Sequence, residues 1–464
     1  MKSHGNGMNL RQTLLSGLSW MMILNIIVKP LWLFGIEVGV QNAVGAESYG
    51  LYFALFNVAY VFNILLDLGV TNYNTRNIAQ DPQQITQNLP QLLVLKLLLL
   101  LFYLSVTLTI GFVIGYQSHQ FWLLVIICIN QFLNSLILYL RSNFQGLLLL
   151  KWDSILSVLD RILMIIICGT LLLHTNAQSI PFHIEWFVLA QTAAYVFTTA
   201  IAVILLLKRI HTKELLRSFR FSLQSQLKLL RKGLPFALLV LLMASYNRLD
   251  PILLSRLSPL GNTDAGIYAG AFRLLDALSM VAYLVSVPLL PIFSKLTAPQ
   301  TIDNSPDYPQ LTATTKTAFS LIMVFAIASA IILSTFSEPL MQLLYHDNAE
   351  SIARVFRLLV FDIIPISFTY IFGTLLTAGG HLKTLNWLAS GTLLFSLIAN
   401  LVAIPIWGPV GSAIASLTAQ SFMAITQTII AIRHYHLKPS ASYILKLIVF
   451  TLFITGLCLV IAPL

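Results

Sequence analysis

Apolar residues recur along this chain in runs of about 20, the length of helix that crosses roughly 30 Å of hydrocarbon, and this repetition leaves few folds open. With no water in a bilayer core, every backbone N–H and C=O has to be satisfied inside the chain, so only helices and closed barrels span it. Barrel strands are shorter and alternate apolar with polar residues. The runs here are Leu-rich throughout. The expectation is an all-α polytopic membrane protein with thirteen spans, beginning near residues 14, 48, 90, 121, 154, 185, 233, 266, 315, 354, 384, 410 and 442.

With 57% hydrophobic and 9% charged residues, a formal charge of +10 does not point to nucleic acid, and none is expected as a partner. In a membrane chain the useful question is which loops carry the Lys and Arg. One set of loops holds Lys2, Arg11, Arg76, Arg141, Lys151, a cluster from Lys208 to Lys232, Lys295, Lys316, Lys383, Arg433, Lys438 and Lys446. The opposite loops hold Glu37, Glu47, Glu185, Asp264, Glu338, Asp347 and Glu350, with Arg256, Arg354 and Arg357 against the trend. This bias predicts a cytoplasmic N-terminus and, with an odd number of spans, an outside C-terminus. The first run is long, lacks a small-residue cleavage site and is read as a span rather than a signal peptide. Cys128, Cys168 and Cys458 fall inside apolar runs without metal-ligand spacing and are read as small core residues.

The longest basic connection, KRIHTKELLRSFRFSLQSQLKLLRKG from Lys208 to Gly233, has the composition of a segment lying on an anionic leaflet and joining two halves. The halves share a pattern. Gly17-Leu18 matches Gly233-Leu234, and Gly50-Leu51-Tyr52 with Phe56 matches Gly266-Ile267-Tyr268 with Phe272, both at an offset of 216 residues. An even number of spans per copy gives a parallel repeat, with a substrate path where the copies meet. The expected organisation is a six-helix lobe over 1–207, a basic linker over 208–232, a second six-helix lobe over 233–438 and one extra, peripheral helix over 439–464. The Pro-, Asp- and Asn-rich stretch TAPQTIDNSPDYPQ reads as a flexible loop.

Charges inside the spans carry the functional signal. Lys29, followed by Pro30, stands within the first run, from Leu14 to about Phe34, where a cation costs roughly 2.5–3.5 kcal/mol on insertion scales. Such a residue is kept where it faces a cavity or a partner. Arg248 and Asp250 lie two apart in the seventh span, point in different directions and need partners on other helices. Arg273 and Asp276 stand at i and i+3 in the eighth, so they share a face and can pair. Lys29, Arg248 and Arg273 outnumber the well-placed acids and favour a cavity for an anion. Asp250 and Asp276 are read as helix-stitching ion pairs or as coupling groups. Asp362, beside the Ile364-Pro365 bend, either binds a coupling cation or caps backbone groups freed at the kink. Asp67, Arg76 and Lys96 frame the cytoplasmic end of the second and third spans, where local pairing or snorkelling accounts for them, and Asp160-Arg161 is explained in the same way. Pro30 beside Lys29 and Pro251 beside Asp250 couple a bend to a charge in each half, which favours a moving transporter.

The sequence holds no P-loop, HExxH, GxSxG or Asp-x-Asp, and no loop long enough for a polymerase or ligase site, so no enzyme is expected.

The run LLSGLSWMMILNIIVKPLWLF, then GAESYGLYFALFNVAYVFNILLDLGVTNYNTRNIA, then YNRLDPILLSRL followed by AGIYAGAFRLLDAL resemble bacterial polysaccharide transport proteins. These are the O-antigen and exopolysaccharide flippases of the multidrug/oligosaccharidyl-lipid/polysaccharide (MOP) exporter superfamily. The resemblance covers nearly the whole chain and implies two six-helix lobes around a central V-shaped cavity, working by alternating access. It implies an undecaprenyl-diphosphate-linked oligosaccharide as substrate, moved from the cytoplasmic to the outer leaflet of the plasma membrane. Carried over residue by residue, Lys29, Arg248 and Arg273 match the cationic cavity and would meet the diphosphate and acidic sugars. Drug antiporters of the superfamily generally carry an acid in the first span, where this chain has Lys29. Two other superfamily functions stay open, a peptidoglycan-precursor flippase and a cation-coupled drug exporter, and outside the superfamily a glycan polymerase or ligase. A monomer among membrane lipids is expected, without a cofactor, with Na+ or H+ as the candidate coupling ion and a glycan polymerase as the candidate protein partner.

Overall fold

The computed structural model describes residues 24, 27–178, 180–208, 223–286, 288–297, 308–437 and 441–461. The Gly17-Leu18 motif, most of the basic connection and residues 298–307 of the Pro-rich loop therefore lie outside the described residues. Those described form helices and no strand. A π-helical stretch, Leu31–Glu37, leads into α1 (Val38–Val61), followed by α2 (Val70–Gln80), α3 (Ile85–Ile114), α4 (Ser118–Gly146), α5 (Leu150–Gln178) and α6 (Ile184–Leu207). Then come α7 (Leu223–Leu257), α8 (Asn262–Ser286), α9 (Leu289–Thr297), α10 (Tyr308–Thr335), α11 (Ser337–Leu344) and α12 (Ala349–Leu359). The chain ends with α13 (Ile363–Phe368), α14 (Thr374–Ala378), α15 (Leu382–Tyr435) and α16 (Ala441–Ile461).

Nine described helices are long and apolar enough to cross a membrane, and ten if the pair Ile27–Val61 and Asn63–Gln80, bent by 51°, is one span. The protein is a multi-pass membrane protein. The count stops short of thirteen partly because the chain turns twice without leaving helical hydrogen bonding. The break at Gly45 falls inside α1, and the break at Gly408 falls inside the 54-residue α15. Gly408 has φ 54° and ψ −131°, a conformation a side chain would strain, and Pro405 and Pro409 flank it. The last apolar stretch, Leu445–Ile461, is shorter than the others.

The chain packs as two compact units, Met1–Val44 with Leu55–Ala237, and Gly45–Ala54 with Leu238–Leu464. The core of the first is built from Leu89, Leu92, Leu95 and Leu99 of α3, Tyr139, Leu140 and Phe144 of α4, and Ala202 and Leu206 of α6. The three- and four-residue spacing along α3 puts those leucines on one stripe. In the second unit, α16 sets Cys458 against Met323, Ile327 and Ile331 of α10, while most of its outward apolar residues are exposed, as a lipid-facing helix requires.

Within the second unit the matched motifs meet. A Cβ at Gly50 would collide with the Asn262 carbonyl oxygen and the Gly266 amide, and one at Gly266 would collide with the Ala46 carbonyl. Ala46 and Asn262 are themselves 216 residues apart, as are Gly50 and Gly266. The contact is thus reciprocal, as between two copies of one motif about a two-fold axis. Gly266→Val is expected to cost about 3 kcal/mol or more, because backbone rather than side chain has to yield. Thermal unfolding in detergent reads this, with Gly391→Ala as control, since nothing lies within 4 Å of a Cβ at Gly391. Equal melting of Gly266→Val and wild type would remove the packing argument.

Candidate functional site

Lys29 belongs to the first unit, Arg248 and Arg273 to the second, and each group has its own surroundings.

Around Lys29, the chain passes from α-helical turns to the π-helical stretch directly after Pro30. A π segment shifts side-chain direction relative to the regular turns before it, and such segments are frequent at functional positions. In it Trp32 is buried, donates its indole N–H to Glu37 Oε1 at 2.9 Å and stacks on Phe187 with ring centroids 6.0 Å apart. The Arg161 guanidinium lies 5.2 Å from the Trp32 ring. Lys29 lines a cavity of about 230 Å³ together with Asn134, Arg141, Ser157, Asp160 and Arg161. Arg141 is tightly held: its Nε meets Asp153 Oδ1 at 2.7 Å, and the Gln145 amide fills Asp153 Oδ2 at 3.1 Å. Arg161 Nε lies 3.6 Å from Asp160 Oδ2, and the side chain also hydrogen-bonds Tyr195. Three cations against two carboxylates leave this pocket basic. Elsewhere on α4 and α6 neutral polar groups bond one another, with Asn130 donating to Gln191 at 3.3 Å, Thr192 to Asn130 at 2.7 Å and Gln191 to Tyr195 at 3.3 Å.

In the second unit the charges sort into two sets. Arg248 Nη2 meets both Asp276 oxygens at 3.1 and 3.3 Å and lies 4.9 Å from the Phe272 ring. The sequence pairs Asp276 with Arg273 on one helix face, but the structure pairs it with Arg248, because a guanidinium reaches across from α7 more directly than one turn along α8. Arg273, only 5% exposed, donates to the Tyr345 hydroxyl at 3.1 Å and lies 4.8 Å from the Tyr49 ring. Tyr345 in turn donates to the Gly270 carbonyl at 3.2 Å.

Asp250 and Asp362 form the other set, each 1% exposed. Asp250 accepts from the Tyr268 hydroxyl at 2.7 Å and from the Asn400 amide at 2.9 Å, while Ser412 donates to Asn400 Oδ1 at 3.0 Å. Asp362 accepts from Ser416 at 2.6 Å, and its Oδ1 is buried without a hydrogen-bond partner. Ser416 also lies within reach of Asp250. The backbone around Asp362 runs α12, a 3-10 turn Val360–Asp362, α13, a π stretch Thr369–Gly373 and α14. Asp362 thus sits where the regular ladder is interrupted. Among the described residues no Lys, Arg or His forms an ion pair with either carboxylate, and no three His, Cys, Asp or Glu side chains gather as they would around a metal.

Lys96 is wholly buried, which rules out snorkelling: its Nζ donates to the Leu66 carbonyl at 2.9 Å, Asp67 Oδ1 at 2.7 Å and Ser135 Oγ at 2.9 Å. Asp67 also takes the Gly69 and Thr71 amides, each at 3.2 Å, and the Thr71 hydroxyl, so it caps the entry to α2. Arg76 is exposed on α2.

Asp160 and Arg161 pair locally, as their adjacency in the sequence suggests, and together with Arg141, a residue of the basic loops by sequence, they also line the cavity. The available signal was a cation and an acid standing eleven to twelve residues inside an apolar helix. Tyr268, Asn400 and Ser416 carried no signal, since neutral polar residues are common in membrane helices.

The model of the family described as "Polysaccharide biosynthesis protein" matches residues 14–297. Among curated proteins there is no match. Of solved structures, an inward-facing multidrug resistance MATE transporter of the MOP superfamily is 15% identical, with TM-score 0.66 over 89% of this chain and 98% of that one. The lipid II flippase MurJ in an inward closed conformation is 14% identical, with TM-score 0.62 over 94% and 97%. A MOP-superfamily transporter from Pyrococcus furiosus, whose reversed binding-pocket polarity is said to suggest a different function, is 15% identical, with TM-score 0.54 over 93% and 96%. The fold is that of these transporters.

Proposed function

This chain belongs to the polysaccharide biosynthesis protein family, and from that premise we propose that it moves a diphosphate-linked lipid oligosaccharide across the bacterial plasma membrane, with its N-terminus in the cytoplasm. The observation that carries this reading is the basic cavity around Lys29, Arg141 and Arg161. A diphosphate leaving water has to be met by fixed charge and donors; Arg offers a fork for its oxygens and Lys a compact charge. The apolar tail needs no such site and can stay in lipid. The resident lipids and the sugar substrate are the partners this reading requires, and a polymerase acting on the exported unit would follow it.

Asp250 and Asp362 supply the coupling side of the proposal. Two adjacent buried carboxylates served by neutral donors need a positive charge, either a proton or a small cation such as Na+. Moving such a cation down its gradient would supply the work of translocation. Asp362→Asn is expected to reduce gradient-driven transport by about tenfold or more, the equivalent of losing one charge-assisted contact. Proteoliposomes with an imposed Na+ or pH gradient check this; a full gradient-dependent rate in Asp362→Asn would end the coupling assignment.

The function itself is tested in a bacterium lacking its own O-unit flippase. The wild-type gene should restore surface glycan, and its overexpression should leave resistance to cationic drugs unchanged. A clear efflux phenotype without glycan would favour the drug-exporter reading.

A further inference from the structure

The ion pair of Arg248 with Asp276 in the second unit stands where neither stability nor lipid accounts for it. Asp276 lies fourteen residues after Asn262 and ten before Ser286 in α8, about 21 Å and about 15 Å from the two ends at 1.5 Å per residue. Its side chain is nevertheless 56% exposed. A carboxylate so deep in a span faces water, because hydrocarbon disfavours a charge most strongly there. An ion pair so open to solvent adds little to stability. The same face continues along the helix. Phe272, Asp276, Met280 and Tyr283 follow one another at spacings of four, four and three, and Tyr283, seven residues after Asp276, points within about 20° of it. Tyr283 is 50% exposed, and its ring centroid lies 5.8 Å from that of Tyr370 in the π stretch Thr369–Gly373, with the planes at 58°.

This stripe suits neither a simple anion nor a simple cation. Arg248 Nη2 contacts both Asp276 oxygens, at 3.1 and 3.3 Å, and the guanidinium lies 4.9 Å from the Phe272 ring one turn along α8. One positive and one negative charge in contact leave little net field for a charged ligand. What remains is directional. A carboxylate offers about four lone-pair sites to hydroxyl donors, and a guanidinium offers only donors. Beside them the tyrosine rings present flat apolar faces with a polar edge. We propose that this stripe binds the sugar portion of the transported lipid: Asp276, oriented by Arg248, accepts from the hydroxyls of one pyranose, and Tyr283 with Tyr370 receives the C–H face of a neighbouring one. The proposal rests on the flippase reading and gives these residues the glycan rather than the diphosphate. Seven residues of helix set Asp276 and Tyr283 about 10.5 Å apart along the axis, more than a single pyranose covers, so the stripe calls for at least two linked sugars.

Saturation-transfer NMR on the full-length protein in nanodiscs tests this, with N,N′-diacetylchitobiose and maltose as neutral disaccharides, glucose as a single sugar and tetraphenylphosphonium as an apolar cation. At least one disaccharide should bind saturably, and glucose about tenfold more weakly, for want of the second contact. Tyr283→Ala and Asp276→Asn should each weaken disaccharide binding by about tenfold, whereas Tyr283→Phe, which keeps the ring, should stay within about threefold of wild type. The exposed position of Tyr283 means that Tyr283→Ala should melt as wild type does, which separates lost binding from lost folding. No disaccharide binding to wild type, or unchanged binding in either Tyr283→Ala or Asp276→Asn, overturns the proposal. Binding of tetraphenylphosphonium that disappears in Asp276→Asn overturns it too, by making the stripe a cation site. If disaccharide binding follows the expected pattern but the wild-type gene fails to restore surface glycan, the flippase reading falls and the saccharide site stands. If glycan is restored while both variants bind disaccharide as wild type does, the flippase reading stands and the saccharide site falls.

Discussion

Lys29→Ala is expected to lower surface-glycan export by about 10- to 100-fold, the cost of one charge-assisted contact of roughly 1.5–3 kcal/mol to a diphosphate. The protein should remain in the membrane at its normal level, because Lys29 is half-buried and its loss leaves Arg161 stacked on Trp32 and Arg141 bonded to Asp153. Lys29→Arg keeps the charge and should retain a larger share of export than Lys29→Ala. Quantitative blotting of surface glycan, normalised to membrane protein, makes the measurement. Wild-type export from Lys29→Ala would remove the cavity from the mechanism. Arg273→Ala should also reduce export, but it removes a buried guanidinium from Tyr345 and Tyr49, so its effect on transport has to be separated from a fall in melting temperature.

A large effect on stability is also expected at Lys96. Its ammonium answers three acceptors at once, and Lys96→Met leaves the Leu66 carbonyl, the Ser135 hydroxyl and the Asp67 carboxylate without it. Removing one partner of a buried ion pair costs about 3–5 kcal/mol, and the lower end applies because Asp67 keeps a 27% exposed side chain and its capping bonds to Gly69 and Thr71. Yield and melting temperature should both fall. The double change Asp67→Asn with Lys96→Met should recover a good part of the loss, since the stranded charge is then gone. A double variant as unstable as Lys96→Met alone would show that the carbonyl and hydroxyl, rather than the carboxylate, need the lysine.

Much of the architecture was legible because a bilayer imposes a severe rule on sequence. Runs of about 20 apolar residues have no alternative to helix, and a cation among them has to face something other than lipid. The same reasoning required Arg248 and Asp250 to find partners on different helices, and those partners are Asp276 on α8 and Tyr268 with Asn400 on α8 and α15. It went astray where partners compete. Asp276 lies in reach of Arg273 by helix geometry and of Arg248 by packing, and i to i+3 spacing on a helix says nothing about a long side chain arriving from a neighbour. The local pairing of Asp160 with Arg161 is present at 3.6 Å; what the sequence does not show is that both line one cavity with Lys29.

By itself the sequence determined that the chain is helical, that it crosses a membrane many times, and that its interior holds cations at Lys29, Arg248 and Arg273. Periodicity, length and the desolvation cost of charge are local quantities, readable one helix at a time. The tertiary structure decided which charges are satisfied: Lys96 is closed off by three acceptors, Arg141 is locked, Asp160 shares the pocket with Lys29 and Arg161, and Asp250 and Asp362 lie among neutral donors. Those outcomes depend on angstrom-scale distances between helices far apart in the chain, and electrostatics in a low-dielectric interior turns such distances into the difference between a structural pair and a working site.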